Sequence, residues 1–149
     1  MTDPTHPATP AAGSAPVRFA GYAAIFGKRD SGGDVILPGA FAATLSARAA
    51  SGQPLPLFWQ HRPDRPIGWI DTVAEDARGL RVTGTLSDPA ATGTTLLRAG
   101  SVNGLSFGYR ATAAHGTPEG RTLQAVDLVE VSLVTRPMQP MARVHFVAG

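Results

Sequence analysis

The run from Leu123 to Thr135 constrains this chain more than any other stretch. It is the longest strand-like segment, and Leu128-Val129-Glu130-Val131-Ser132-Leu133-Val134 carries one carboxylate among branched apolar residues. A period of two puts Asp127, Val129, Val131 and Leu133 on one face. Leu128, Glu130, Ser132 and Val134 share the other. A charge inside such a run is costly to bury without a partner, so Glu130 requires a specific one.

A second strand is punctuated differently. In Gly104-Leu105-Ser106-Phe107-Gly108-Tyr109, alternation sets Leu105, Phe107 and Tyr109 on one face. Ser106 and the two glycines take the other, where missing side chains let another backbone or a substrate approach.

The rest of the chain reads mostly as short strands. Gly and Pro supply 30 of 149 residues and charged residues only 16%, a turn-rich and strand-rich balance. Strands are expected at 17–26, 55–59, 67–73, 80–86, the serine segment, 123–135 and 144–147. The acidic turn Glu75 to Gly79 joins two of them into a hairpin. A short helix follows Pro38-Gly39, with Phe41, Leu45 and Ala49 on one face and Ser51-Gly52 at its end. A second helix is expected to start at Asp88-Pro89 and stop at Gly100. Loops are expected at 27–37, 63–66 and 115–120. These counts predict an α+β, mainly β architecture: a β-barrel of six to seven strands with two or more flanking helices. Residues 1–16, with four prolines, read as a disordered N-terminal arm, and 17–149 as one domain.

Composition excludes several function classes. The chain has no Cys, hence no disulfide, thiolate metal site or Cys nucleophile, and no two His lie close in sequence. No metal or cofactor is expected. The net charge is +2, and twelve of the thirteen cations are arginines scattered without a stripe, so no nucleic-acid partner is expected. No apolar run approaches the roughly 20 residues that span a membrane. Nor is there a signal peptide pattern, so a cytoplasmic location is the expectation.

A serine hydroxyl is a weak nucleophile until a base takes its proton, and His is the usual base near neutral pH. His6 lies in the arm and His115 in a Gly-rich loop. His61 ends the apolar Leu57-Phe58-Trp59-Gln60 and precedes a proline-stiffened turn, which places its ring at a sheet edge. The third group should be a carboxylate or imidazole that fixes the His tautomer. Glu130 is the first candidate, with Asp127 and His145 as alternatives.

The ordered segments resemble the tailed-phage prohead (procapsid) maturation protease family. They are Gly21-Tyr22-Ala23-Ala24-Ile25-Phe26, Gly33 to Phe41 (GDVILPGAF), Leu57 to His61, Pro66-Ile67-Gly68, Gly79-Leu80, Gly104 to Tyr109, and Leu128 to Val134 followed by Pro137. The resemblance runs from about residue 17 to 145 and extends distantly to the herpesvirus assemblins. It implies an assemblin-like β-barrel and a serine endopeptidase with Ser106 as nucleophile and His61 as base. It maps the third member to Glu130, although assemblins use a second histidine there. Asp34 is expected to be a turn or helix-start residue of the scaffold, and Arg136 is a candidate helper to backbone N–H groups in the oxyanion hole.

The same resemblance implies a substrate: the scaffold segment or N-terminal extension of the major capsid protein, and the protease itself. The setting would be the assembling prohead in the bacterial host cytoplasm, in an infectious phage, a prophage or a gene-transfer particle. The portal is a further candidate partner, and a homodimer is implied by analogy with assemblins. The alternative is a catalytically inactive capsid-assembly or scaffolding module. Geometry separates the two: a protease requires Ser106 and His61 near hydrogen-bond reach with Glu130 behind His61.

Overall fold

The computed structural model describes residues 16–149; the expected arm and His6 lie outside the described residues, apart from Pro16. Among the described residues, eight strands form a single sheet. They are β1 (Val17–Ile25), β2 (Asp34–Ile36), β3 (Leu55–Trp59), β4 (Arg62–Glu75), β5 (Gly79–Leu86), β6 (Gly104–Thr117), β7 (Gly120–Val134) and β8 (Val144–Ala148). Helices α1 (Ala42–Ser51) and α2 (Thr92–Arg98) complete the fold. The strand order is β2-β7-β3-β4-β5-β1-β8, with β6 on the other edge of β7. The sheet curls until the start of β8 meets the start of β6. There the Leu105 N–H donates to the Ala142 carbonyl at 2.9 Å, and the Val144 N–H to the Asn103 carbonyl at 2.8 Å. The result is an incomplete barrel around Phe19, Leu57, Leu80, Val82, Leu105, Val131 and Leu133, with helices outside, as the composition predicts.

The extra strand lies in the expected 27–37 loop. Turn formers dominate that stretch, but Asp34 to Ile36 run parallel to Arg121 to Leu123. Asp34 is thus a strand residue and not a helix start. Its carboxylate accepts two hydrogen bonds from the Arg121 guanidinium, at 3.0 and 2.9 Å, and one from the Tyr109 hydroxyl at 2.6 Å. Hydrogen bonding to Arg121 lowers the Asp34 pKa. Burial and Asp34 push Tyr109 up to about 12, so it stays protonated and donating. A carboxyl with a depressed folded pKa stabilises the fold above its unfolded pKa, about 4, and that contribution is lost as pH falls through the folded value. Asp34→Asn should therefore flatten the acid limb of a melting-temperature profile below about pH 4; an unchanged limb would show that the cluster is not a linkage site.

Other boundaries shift for local reasons. The hairpin of β6 and β7 runs to Thr117 and Gly120, so His115 is a strand residue and not a loop residue. The expected second helix begins at Thr92, with Ala91 as N-cap. Asp88 instead closes a local turn, its carboxylate accepting from the Ala90 N–H at 2.9 Å. Gly100 takes the positive φ of +77° that ends the helix, as its placement predicts. In α1, Ala49 is exposed, and Phe41, Thr44, Leu45 and Arg48 face the sheet.

That helix face explains how β7 is held. One edge of β7 pairs with β6 along almost its whole length. The other pairs with β2 at Arg121 to Leu123 and with β3 at Val131 to Leu133. Between them, α1 and its lead-in stand in for a strand. The Val126 N–H donates to the Ala40 carbonyl, the Leu128 N–H to Thr44 Oγ1 at 3.0 Å, and Arg48 Nη2 to the Leu128 carbonyl at 2.7 Å. Buried backbone groups need such partners, and with them β7 presents Glu130 and Ser132 from a fixed register.

Candidate active site

Strand β3 runs parallel to β7, with Leu57, Phe58 and Trp59 beside Val131, Ser132 and Leu133. The chain then reverses in two residues, because Trp59 pairs with Arg62. Gln60 and His61 fill this loop with φ of +54° and +60°. Two-residue hairpin loops favour that left-handed pair because its twist matches the strands, and Asn-Gly is the usual filling. Each non-glycine residue there costs about 1–2 kcal/mol. The turn is therefore at Gln60-His61, and the expected turn at 63–66 is part of β4. Proline there marks an irregular strand start, not the reversal.

Hydrogen bonds from backbone and side chains offset this strain. The Gln60 N–H donates to the Leu133 carbonyl at 3.0 Å. The Gln60 amide pairs with Thr135, accepting from its N–H at 3.1 Å and donating to its hydroxyl at 3.1 Å. The His61 N–H donates to Ser132 Oγ at 3.0 Å.

So held, the His61 ring donates from Nδ1 to Glu130 Oε2 at 2.6 Å. The Ser132 hydroxyl donates to the other oxygen, Oε1, at 2.6 Å. The Glu130 side chain is 8% exposed and the His61 side chain 40%. The acid is thus shielded while the ring remains reachable. Donation from Nδ1 leaves Nε2 as the acceptor of the neutral ring. Glu130 finds the partner that its place in an apolar run demands.

Ser106 lies directly across the β6–β7 ladder from Ser132, and Gly108 lies across from Glu130. Opposed residues of an antiparallel pair project to one face, with Cβ atoms about 4.5–5.5 Å apart. Ser106, Ser132, Glu130 and the ring that Glu130 holds therefore share a face. Ser106 is 4% exposed. Among the described residues its hydroxyl makes no hydrogen bond, so Ser106 and His61 are set on one face without a direct bond between them.

The glycine at 108 clears space for a protein group. A Cβ there would lie 2.3 Å from Glu130 Oε2. The bare patch beside the serine is where the carboxylate sits. At Gly104, a Cβ would meet the Val134 carbonyl at 2.7 Å and the Pro137 ring at 2.8 Å.

The alternatives for the third position are elsewhere. Asp127 accepts from the Thr44 hydroxyl at 3.0 Å, tying α1 to β7. His145 is exposed on β8, edge-on to Tyr22 at 5.8 Å. Arg136 is exposed just beyond β7. Reading the residues one by one missed Ser132 and Gln60 as parts of the site. Ser132 had a signal, a hydroxyl on the face of Glu130 in an apolar strand; Gln60 had none. Among the described residues no group of His, Asp and Glu is arranged to hold a metal ion, and no helix is long and apolar enough to cross a membrane.

Comparison with known proteins adds to this geometry. A family model described as caudovirus prohead serine protease matches residues 8–148. The prohead protease of Enterobacteria phage HK97 is 37% identical over 132 residues, covering 83% of this chain and 57% of that protein. The chain thus spans little more than half the length of this relative. Among solved structures, the bacteriophage T4 capsid assembly protease aligns with a TM-score of 0.65 at 10% identity, over 78% of this chain and 80% of that one. The KSHV protease, solved with a hexapeptide phosphonate inhibitor, aligns with a TM-score of 0.57 at 17% identity, over 91% of this chain and 66% of its own. At these identities the two structures establish a shared fold.

Proposed function

The chain belongs to the caudovirus prohead serine protease family, and on that footing we propose that it is a serine endopeptidase of capsid maturation built on Ser106, His61 and Glu130. The contact between His61 Nδ1 and Glu130 Oε2, on the face that carries Ser106, is the observation that carries this reading.

The chemistry depends on the tautomer. His61 Nε2 takes the Ser106 proton as Oγ bonds to the scissile carbonyl carbon. The C–N bond then breaks, and His61 returns the proton to the leaving amine. Water, deprotonated by His61, attacks the acyl-enzyme; its oxygen bonds to the carbonyl carbon and the Ser106 Oγ bond breaks. The proton on His61 then goes back to Ser106. Glu130 fixes the ring and stabilises the imidazolium formed in each half-reaction.

The proposed substrate is the scaffold segment or N-terminal extension of the major capsid protein, together with the protease itself. The proposed setting is the interior of the assembling prohead in the bacterial host.

A fluorophosphonate probe tests the site whatever the cleavage sequence. An activated serine displaces fluoride: the Oγ–P bond forms, the P–F bond breaks and the base takes the proton. Peptide mass mapping should find the label on Ser106, and His61→Ala should suppress it. A folded wild-type protein that takes no label, or takes it elsewhere, would overturn the assignment.

A further inference from the structure

We propose that Ser132 is a positioning residue of this site, setting both the rotation of the Glu130 carboxylate and the backbone of His61 through one hydroxyl. The inference rests on the reading of Ser106, His61 and Glu130 as a protease site.

Ser132 is fully buried on β7 between Val131 and Leu133, with β6 on one side and β3 on the other. Packing alone gives no reason for a hydroxyl there; Val would suit such a strand. The hydroxyl nevertheless has both of its capacities used. It donates to Glu130 Oε1 at 2.6 Å and accepts from the His61 N–H at 3.0 Å. These are the two groups whose mutual geometry decides whether Nε2 is free to act as a base.

Each bond has its own consequence. A carboxylate with one oxygen tied to Ser132 turns the other toward Nδ1. Without that donor, Oε1 is a buried charged oxygen lacking its partner, and the group rotates to find another. The bond from the His61 N–H helps to hold a left-handed residue that would otherwise relax. Acid and base are thus tied to a single atom on the strand facing the nucleophile. Ser132 touches neither substrate nor the reacting proton, and acts through His61 and Glu130.

The test compares wild type, Ser132→Ala and Ser132→Cys, the last close in volume but a weak donor. Fluorophosphonate labelling gives the probe affinity and the maximal rate of phosphonylation separately. We expect both variants to bind the probe within about twofold of wild type and to react about 10- to 100-fold more slowly. The low-field proton resonance of the His61–Glu130 hydrogen bond should be present in wild type and lost in both. A purely structural role would leave the maximal rate and this resonance intact in the folded fraction. A maximal rate within about threefold of wild type in a folded variant overturns the proposal. If Ser132→Ala does not fold, Ser132→Cys is judged by the same criteria; if neither folds, Ser132 is a folding residue and the proposal fails. Wild-type protein that carries no label on Ser106, or carries it on Ser132, defeats the protease reading and this inference together. Labelled wild type with unaffected variants defeats the inference alone.

Discussion

Ser106→Ala should leave a folded protein that lacks the proposed capsid-protein cleavage. The residue is small, buried and on a strand, its hydroxyl has no hydrogen-bond partner among the described residues, and the substitution removes one oxygen. The melting temperature should therefore stay within a few degrees. Activity should fall by about 10⁴- to 10⁶-fold, because a site without its nucleophile retains only binding and electrostatic catalysis. Mass spectrometry of the major capsid protein, co-expressed with wild type or with Ser106→Ala, reads the effect and the cut site together. Unchanged processing by the variant would remove Ser106 from the mechanism.

The second large effect is expected at Gly108, a residue with no chemistry of its own. A methyl group there would sit 2.3 Å from Glu130 Oε2, 2.9 Å from the carboxyl carbon and 3.0 Å from Cγ. The carboxylate cannot yield freely, since His61 and Ser132 each hold it at 2.6 Å. Gly108→Ala should displace it and lower activity by about 10³- to 10⁴-fold, comparable to losing the orienting acid. The backbone at Gly108 is not in the left-handed region, so the fold should persist. A double variant makes the mechanism explicit. Once Glu130→Ala has removed the obstructed group, adding Gly108→Ala should cost little more, and the two effects should be strongly non-additive. Additive losses would mean that the glycine serves something other than the carboxylate.

Much of the candidate site is legible in the sequence because its members sit on or beside strands with apolar–polar alternation. Ser106 and Glu130 stand out as polar residues within apolar runs, and His61 by its place at a strand end. What alternation along single strands does not reveal is the register between them. Pairing Ser106 with Ser132 and Gly108 with Glu130 is a long-range fact, and only it explains the glycine and the second serine. The short strand β2 is hidden for a similar reason: its residues look like a loop, and its partner is some 87 residues away. The reversal at Gln60-His61 is hidden because neither residue is the Gly, Asn or Asp that marks a two-residue hairpin loop. The prolines at 63 and 66, the visible turn signals, draw the reversal to the wrong place. Asp88 is a true turn former, but it closes a turn ahead of α2 and not the helix itself.

The two-residue loop that carries His61 has a consequence for how this protein can change. A chain shaped by folding alone would place Asn-Gly there, relieving the left-handed strain and strengthening the hairpin. Gln-His gives up that stability, so the loop records a demand other than folding. The same brevity fixes the ring to the hairpin: with no spare residue between β3 and β4, an insertion that moved the turn would move the imidazole with it. The scaffold can drift elsewhere, in the exposed tip of the β6–β7 hairpin for instance, but at this loop hairpin length and ring placement can change only together.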